Sequence, residues 1–155
     1  MADTRVTDCG PFSKVDGHDV DQRWGLTMSS MQKNRLLIIG AGGFGREVLQ
    51  WAQDVQDQGC VDWEVAGFLD ANPQAIEDFD IDLPVLGSPE AWQPLPEDRF
   101  VCAIGDPKIR LRICRGLQAR GADFVSLIHP SAIVGSRCYI GKGTILCPGV
   151  TVTVD

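Results

Sequence analysis

Histidine and tyrosine are nearly absent from this chain, which has two of the former and one of the latter in 155 residues. With so few imidazoles, and with six cysteines (Cys9, Cys60, Cys102, Cys114, Cys138, Cys147) that form no C-x-x-C, neither a zinc site nor a redox pair is indicated. Cys102 lies in an apolar run and Cys138 in a column of small residues, so buried free thiols are the expectation. Positive charge is also short: 14 Lys and Arg against 21 Asp and Glu give a net charge of −7, which argues against a nucleic-acid partner. No apolar run approaches the roughly 20 residues of a membrane span, and the N-terminus lacks the order of a signal peptide. The composition therefore predicts a cytoplasmic globular protein with no membrane partner.

What is present is a period of six near the end. Ile128, Val134, Ile140, Leu146 and Val152 recur at that spacing, with Ala132, Cys138, Thr144 and Val150 in step two places earlier and Gly135 and Gly141 following the aliphatic column. This is the hexapeptide pattern of a parallel β-helix, whose aliphatic residues point into the prism and whose small residues sit beside its corners. Such a solenoid needs about three stacked repeats or more. The sequence given stops at Asp155 after little more than one coil, so it reads as the front part of a longer repeat protein.

Upstream, Leu36-Leu37-Ile38-Ile39 is a solid apolar run, the mark of a strand buried on both faces of a parallel sheet. Gly40-Ala41-Gly42-Gly43-Phe44-Gly45 follows, and a helix is predicted over Arg46–Asp57 with Val48, Trp51, Ala52 and Val55 on one face. Further strands are predicted over Glu64–Leu69, Pro84–Gly87, Phe100–Ile104 and Asp123–Ile128. A short helix from Ser88-Pro89 through Trp92, and a longer one opened by Gly105-Asp106-Pro107 with Ile109, Ile113 and Leu117 in line, complete the alternation. The pattern is an open three-layer α/β sheet with right-handed crossovers. Residues 1–34 show no period and read as a tail or extension. Residues 35–128 form the α/β domain, and 129–155 the start of the solenoid.

Gly40, Gly42 and Gly45 make a G-x-G-x-x-G between strand and helix. The first glycine permits the turn, the second lets a phosphate approach the backbone, and the third lets helix and strand pack closely. Amides at the helix start favour an anion, although a tight turn that binds nothing has the same sequence. Asp70 closes the second strand, where it can hydrogen-bond a ribose or base or simply make an Asx turn. Gly105-Asp106 ends another strand on the same edge, with Asp106 either lining the crevice or only capping the helix. Lys108 or Arg110 can reach a diphosphate if the following helix does not merely carry them as a solvated face. His129, before Pro130, reads as a structural corner. No Ser/His/Asp or Cys/His arrangement assembles from what remains, because His18 lies in the N-terminal stretch.

Together, Leu37-Ile38-Ile39-Gly40-Ala41-Gly42-Gly43-Phe44-Gly45-Arg46-Glu47-Val48, Val65-Ala66-Gly67-Phe68-Leu69-Asp70, Leu83-Pro84-Val85-Leu86-Gly87, Ala103-Ile104-Gly105-Asp106 and Leu127-Ile128-His129-Pro130-Ser131-Ala132 resemble the NeuD/PglD family of sugar O- and N-acetyltransferases. The resemblance implies a Rossmann-like domain that holds a nucleotide sugar, such as a UDP-amino-sugar, ahead of a left-handed β-helix that binds acetyl-CoA, usually between the subunits of a homotrimer. It implies backbone contacts to the diphosphate from Gly42, Gly43 and Phe44, a base beside Asp70 and Ala71, and closure of the pocket by Gly105 and Asp106. Many relatives carry a histidine in place of Phe44 and a second acid in place of Ala71. The family's general-base histidine is expected beyond Asp155, so no catalytic residue is expected here and a dimer or swapped assembly is an alternative to the trimer. A nucleotide-binding or regulatory module without chemistry, and a NAD-dependent oxidoreductase, are the competing readings.

Overall fold

The computed structural model describes residues 33–154, so the expected N-terminal tail and Cys9 lie outside the described residues. The first strand, β1 (Asn34–Ile39), has Leu36, Leu37, Ile38 and Ile39 fully buried, as a strand covered on both faces must. It is the centre of a five-stranded parallel sheet. The other strands are β2 (Trp63–Leu69), β3 (Val85–Gly87), β4 (Asp98–Cys102) and β5 (Asp123–Phe124), in the order β3-β2-β1-β4-β5. Chain order runs outward from β1 in one direction and then restarts at β4 in the other. A crevice therefore opens between the carboxyl ends of β1 and β4.

Alternate residues of β1 feed two cores. Leu36 and Ile38 pack with Val48, Leu49 and Ala52 of helix α1 (Gly43–Asp57), whereas Leu37 and Ile39 pack with Ile113 and Leu117 of helix α2 (Pro107–Ala119). The two helices thus cover opposite faces, giving the three layers. Trp51 and Val55 join the first core as expected, but Ile109, predicted to be in line with Ile113 and Leu117, is 44% exposed.

Several boundaries differ from expectation. Helix α1 begins at Gly43 and not near Arg46, with the Arg46 amide donating to the Gly42 carbonyl at 3.0 Å. The glycine run is thus the first turn of the helix itself. The predicted helix after Ser88 is a single turn in which the amides of Ala91 and Trp92 donate to the Ser88 carbonyl. It goes no further because Trp92 is drawn to Asp98 and the Arg120 guanidinium takes the Pro89 and Trp92 carbonyls. Strand β2 carries a bulge at Ala66, opposite the Leu36–Leu37 step, followed by Gly67 at φ +148°, where a Cβ would come within 2.5 Å of the Pro84 carbonyl.

Buried Asp98 anchors the amino end of the sheet. It accepts from Arg35 Nε (3.0 Å) and Nη2 (2.5 Å), from Trp92 Nε1 (3.0 Å) and from the Leu95 amide (3.0 Å). A carboxylate without water must be satisfied in this way.

The predicted strand Asp123–Ile128 is two strands, since β5 pairs with β4 while β6 (Leu127–Ile128) leaves the sheet to pair with β8 (Ile145–Leu146). Strand β7 (Ile133–Val134) pairs in parallel with β9 (Thr151–Val152). In both ladders the partner lies eighteen residues on, three periods of six, which is one coil of a parallel β-helix. The fold class is the expected one: a Rossmann-like α/β domain running into the start of a left-handed parallel β-helix. The aliphatic column is less enclosed than the pattern suggests, Val134 being 38% exposed. The side carrying Ile140 forms no ladder among the described residues, because a ladder needs a second pass of chain beside it. At one corner a Cβ on Gly135 would meet the Val154 amide nitrogen at 2.8 Å, so this glycine of the repeat is required by close approach.

Candidate functional site

The crevice between β1 and β4 holds a cleft of about 280 Å³, lined by Gly40, Leu69, Asp70, Ala71, Ile104, the turn after β3 and one face of α2. Three strand ends meet there. Gly40, at φ +94°, donates its amide to the Leu69 carbonyl at 2.8 Å, and a Cβ on it would crowd the Ala103 carbonyl at 3.3 Å. The first glycine is therefore what lets β1, β2 and β4 converge.

The third glycine is the tightest position in the motif. A Cβ on Gly45 would stand 2.0 Å from the Gly40 carbonyl oxygen, so only hydrogen allows α1 to start directly over the end of β1. Gly42, the N-cap of α1, has no neighbour within 4 Å of where a Cβ would stand and offers no side-chain cap. The amides of Gly43, Phe44 and Gly45 consequently have no acceptor among the described residues. Unsatisfied first-turn amides backed by the helix dipole favour an anion.

Asp70 is committed to the scaffold. Its Oδ2 accepts from the Ala41 amide at 2.8 Å, inside the glycine turn, and its Oδ1 accepts from the Asn72 amide at 2.9 Å in an Asx turn. It both lines the cleft and holds the turn that shapes it. Asp106 caps α2, its Oδ1 accepting from the amides of Lys108 (2.8 Å) and Ile109 (2.9 Å), with Pro107 at the first helical position. Gly105 and Asp106 are exposed residues of the loop beside the cleft, Lys108 is exposed in the first turn of α2, and none of the three lines the cleft. Arg110 reaches back to the carbonyls of Ile104 (3.0 Å) and Gly105 (3.5 Å), so its guanidinium braces this loop.

Gly42, Gly43 and Phe44 lie at the helix start and not on the cleft wall. Phe44 packs edge-on against Trp51 with ring centroids 5.9 Å apart. Arg46 stands over the Phe79 ring at 3.7 Å and lines a second cleft of about 280 Å³ with Gln50, Gln53, Asp80 and Asp82. Beyond the apolar wall residues Leu69, Ile104, Ile109 and Ile113, the cleft residues missed from sequence are Pro89, Glu90 and Arg112, the last two an exposed ion pair at 3.7 Å. Their signal was faint: a turn after β3 and a cation one helical turn beyond Lys108.

His129 is in more company than its sequence context suggests. Its Nε2 lies 3.2 Å from Asp54 Oδ2 on α1, and its Nδ1 lies 2.7 Å from Ser131 Oγ and accepts from the Ser131 amide at 3.1 Å. The expectation that no Ser/His/Asp arrangement assembles is thus corrected. The folded chain brings in Asp54, 75 residues away in sequence. The grouping is nonetheless a corner clasp: serine and histidine share one turn, the serine amide bonds the same ring nitrogen, and the Gly149 amide ties Ser131 Oγ at 3.0 Å to the next pass of the coil. Among the described residues no group of histidine, cysteine and carboxylates could hold a metal ion, and no helix is long and apolar enough to cross a membrane. Buried free thiols hold only for Cys102, since Cys60 is exposed and Cys114, Cys138 and Cys147 are half-buried. Folding places Cys60, Cys138 and Cys147 in turns and coil corners and Cys114 on the flank of α2, where the sequence pattern alone shows no exposure.

Residues 35–117, more than half of the chain, match the family described as PglD N-terminal domain. The chain belongs to that family. Among curated relatives it is 28% identical over 118 residues to UDP-N-acetylbacillosamine N-acetyltransferase of Bacillus subtilis (strain 168), covering 70% of this chain and 49% of the relative. It is 26% identical over 120 residues to GDP-perosamine N-acetyltransferase of Escherichia coli O157:H7, covering 76% and 53%. The chain spans about half the length of these relatives. Among solved structures it is similar to the acetyltransferase domain of PglB from Neisseria gonorrhoeae FA1090 (TM-score 0.62, 29% identity, 79% of this chain and 65% of that one). It is also similar to PerB from Caulobacter crescentus in complex with CoA and GDP-perosamine (TM-score 0.59, 30% identity, 75% and 52%).

Proposed function

We propose that this chain is the nucleotide-sugar-holding portion of a cytoplasmic sugar acetyltransferase, acting on an amino-sugar nucleotide with acetyl-CoA as co-substrate. The observation that carries the reading is the juxtaposition of a cleft at the sheet's switch point with a helix start whose first three amides are unsatisfied. In this reading the diphosphate lies against the amides of Gly43, Phe44 and Gly45, with Gly42 leaving it room. The base or ribose enters the cleft beside Leu69, Asp70 and Ala71, and Gly105 and Asp106 close that end from their loop. Because both Asp70 oxygens already accept backbone amides, Asp70 acts by shaping the turn, with its remaining lone pairs facing the ligand. Lys108, next to the cap of α2, supplies positive charge at the rim. The similarity to acetyltransferases whose own descriptions name GDP-perosamine and UDP-N-acetylbacillosamine supports a nucleotide sugar over a dinucleotide.

Acetyl transfer requires a base to take the proton of the sugar amine. His129, the one histidine among the described residues, is a clasp in this reading, and the chain's part is to bind and orient the acceptor. The single described coil is the start of the hexapeptide helix in which such enzymes meet acetyl-CoA, commonly as trimers.

Calorimetric titration of the full chain with UDP- and GDP-linked amino sugars, NADH and acetyl-CoA tests the proposal. Saturable binding of a nucleotide sugar, without comparable binding of NADH, is the expected result. Preference for NADH overturns the reading in favour of a dinucleotide-sensing module or oxidoreductase, and no binding of any nucleotide sugar removes it.

A further inference from the structure

Two thiols unused by this reading lie together on the other side of α2. Cys102 ends β4 and is 8% exposed. Cys114, in the middle of α2, packs against the same apolar cluster. Both open into a cleft of about 330 Å³ that also takes in Arg110, Leu111, Phe124 and Lys142. This cleft is separate from the one at the switch point. Arg112 and Ile113 face that one, whereas Arg110, Leu111 and Cys114 face this one.

We propose that Cys102 and Cys114 are a reactive thiol pair that closes to an intramolecular disulfide by exchange with a small anionic disulfide admitted through this cleft. The Cys102 thiolate attacks one sulfur of the incoming disulfide, forming a mixed disulfide and expelling one thiolate. Cys114 then attacks the Cys102 sulfur, expels the second thiolate and gives up its proton to it. Two protein thiols are oxidised, and one small disulfide is reduced to two thiols.

The division of labour follows from the surroundings. Interaction with Cys114 lowers the Cys102 thiol from 9.0 to about 7 against the opposing effect of burial, with the Ile104 backbone and Arg110 adding to the lowering. Interaction with Cys102, together with burial, pushes the Cys114 thiol up. Near neutral pH Cys102 is therefore the sulfur that carries thiolate and Cys114 the one that keeps its proton. Once Cys102 is capped, its negative charge no longer holds the proton on Cys114, and the resolving thiol is released to react. Arg110 at the mouth favours an anionic partner. Lys142 contributes less, since its Nζ is paired with Asp123 at 3.0 Å. The volume suits a small molecule and not a protein disulfide.

The test is incubation of the reduced full chain with oxidised glutathione, capping of free thiols, and mapping of the tryptic peptides. The expected product links Phe100–Lys108 to Ile113–Arg115, and Cys114→Ser should accumulate glutathione on Cys102. Should the serine variant not fold, Cys114→Ala serves in its place. A second readout requires no trapped product. Alkylation of Cys102 in the unmodified chain should be half-maximal near pH 7, and Cys114→Ala should slow it roughly five-fold at that pH by removing the main cause that lowers it. Glutathione on Cys60 alone with Cys102 and Cys114 unlinked, or an unchanged Cys102 profile in Cys114→Ala, would overturn the proposal. Neither result bears on nucleotide-sugar binding, which uses the other side of α2.

Discussion

Replacing Gly45 with alanine probes the point where the fold and the proposed phosphate site are one structure. The new Cβ would stand 2.0 Å from the Gly40 carbonyl oxygen and 2.9 Å from its carbon. Carbon and oxygen tolerate approach to about 3.3 Å, so the end of β1 and the start of α1 must separate by more than an ångström. Both are backbone segments, and Gly40 is also held by its hydrogen bond to Leu69, while the Ile39 carbonyl just before it accepts from the Ala103 amide. Overpacking of this kind costs typically 1–3 kcal/mol, and the upper end applies where no side chain can rotate away. Relief of glycine's helix penalty returns about 1 kcal/mol or less. The net loss is therefore about 2 kcal/mol, a shift of about 1 M in the urea midpoint for a slope of order 2 kcal/mol/M. Because Gly40 lines the cleft, nucleotide-sugar affinity should fall at least about ten-fold, equivalent to about 1.4 kcal/mol. Gly42→Val is the control, since its side chain meets open space and the backbone, at φ −70° and ψ −168°, accepts any residue. It should unfold within about 1 kcal/mol of the parent chain yet lose most of its affinity by crowding the anion. Urea unfolding followed by tryptophan fluorescence, with calorimetry on the folded variants, measures both. If Gly45→Ala unfolds with the parent chain, or Gly42→Val binds as tightly, the argument for the glycine turn is wrong.

Asp98→Ala leaves the Trp92 indole and the Leu95 amide without their acceptor and Arg35 without its partner, and should cost about 3–5 kcal/mol; a urea midpoint within error of the parent's would refute this. Asp70→Asn keeps the shape but places an amide group where two backbone amides donate, so stability should drop by about 1–2 kcal/mol and nucleotide affinity with it. Thermal melts paired with titration would separate those two effects. His129→Ala removes the contacts to Asp54 and Ser131 and should cost about 1–2 kcal/mol while leaving nucleotide affinity unchanged. A large loss of affinity in a well-folded His129→Ala would return that residue to the site.

The parts legible from sequence are those that local pattern controls. A run of four apolar residues closed by glycines reads as a strand covered on both faces, a proline behind an aspartate opens a helix, and a six-residue period marks the coil of a parallel β-helix. What stayed hidden was set by neighbours distant along the chain. The turn after Ser88 carries the N-cap and proline of a helix start, but Asp98 and Arg120 claim its indole and carbonyls before a second turn can form. Asp70 shows the same effect at the site itself. From sequence it is equally a ligand contact or an Asx-turn residue, because both need only a carboxylate at a strand end. The structure joins the two roles, since the turn is made by one oxygen while the other reaches the Ala41 amide within the glycine motif. An acid placed there withdraws one amide from the turn and adds negative charge close to the proposed diphosphate. The anion must then be held by the amides further along, at Gly43, Phe44 and Gly45. That is why the start of α1 at Gly43, which periodicity alone placed near Arg46, matters more to the proposed function than any other boundary in the chain.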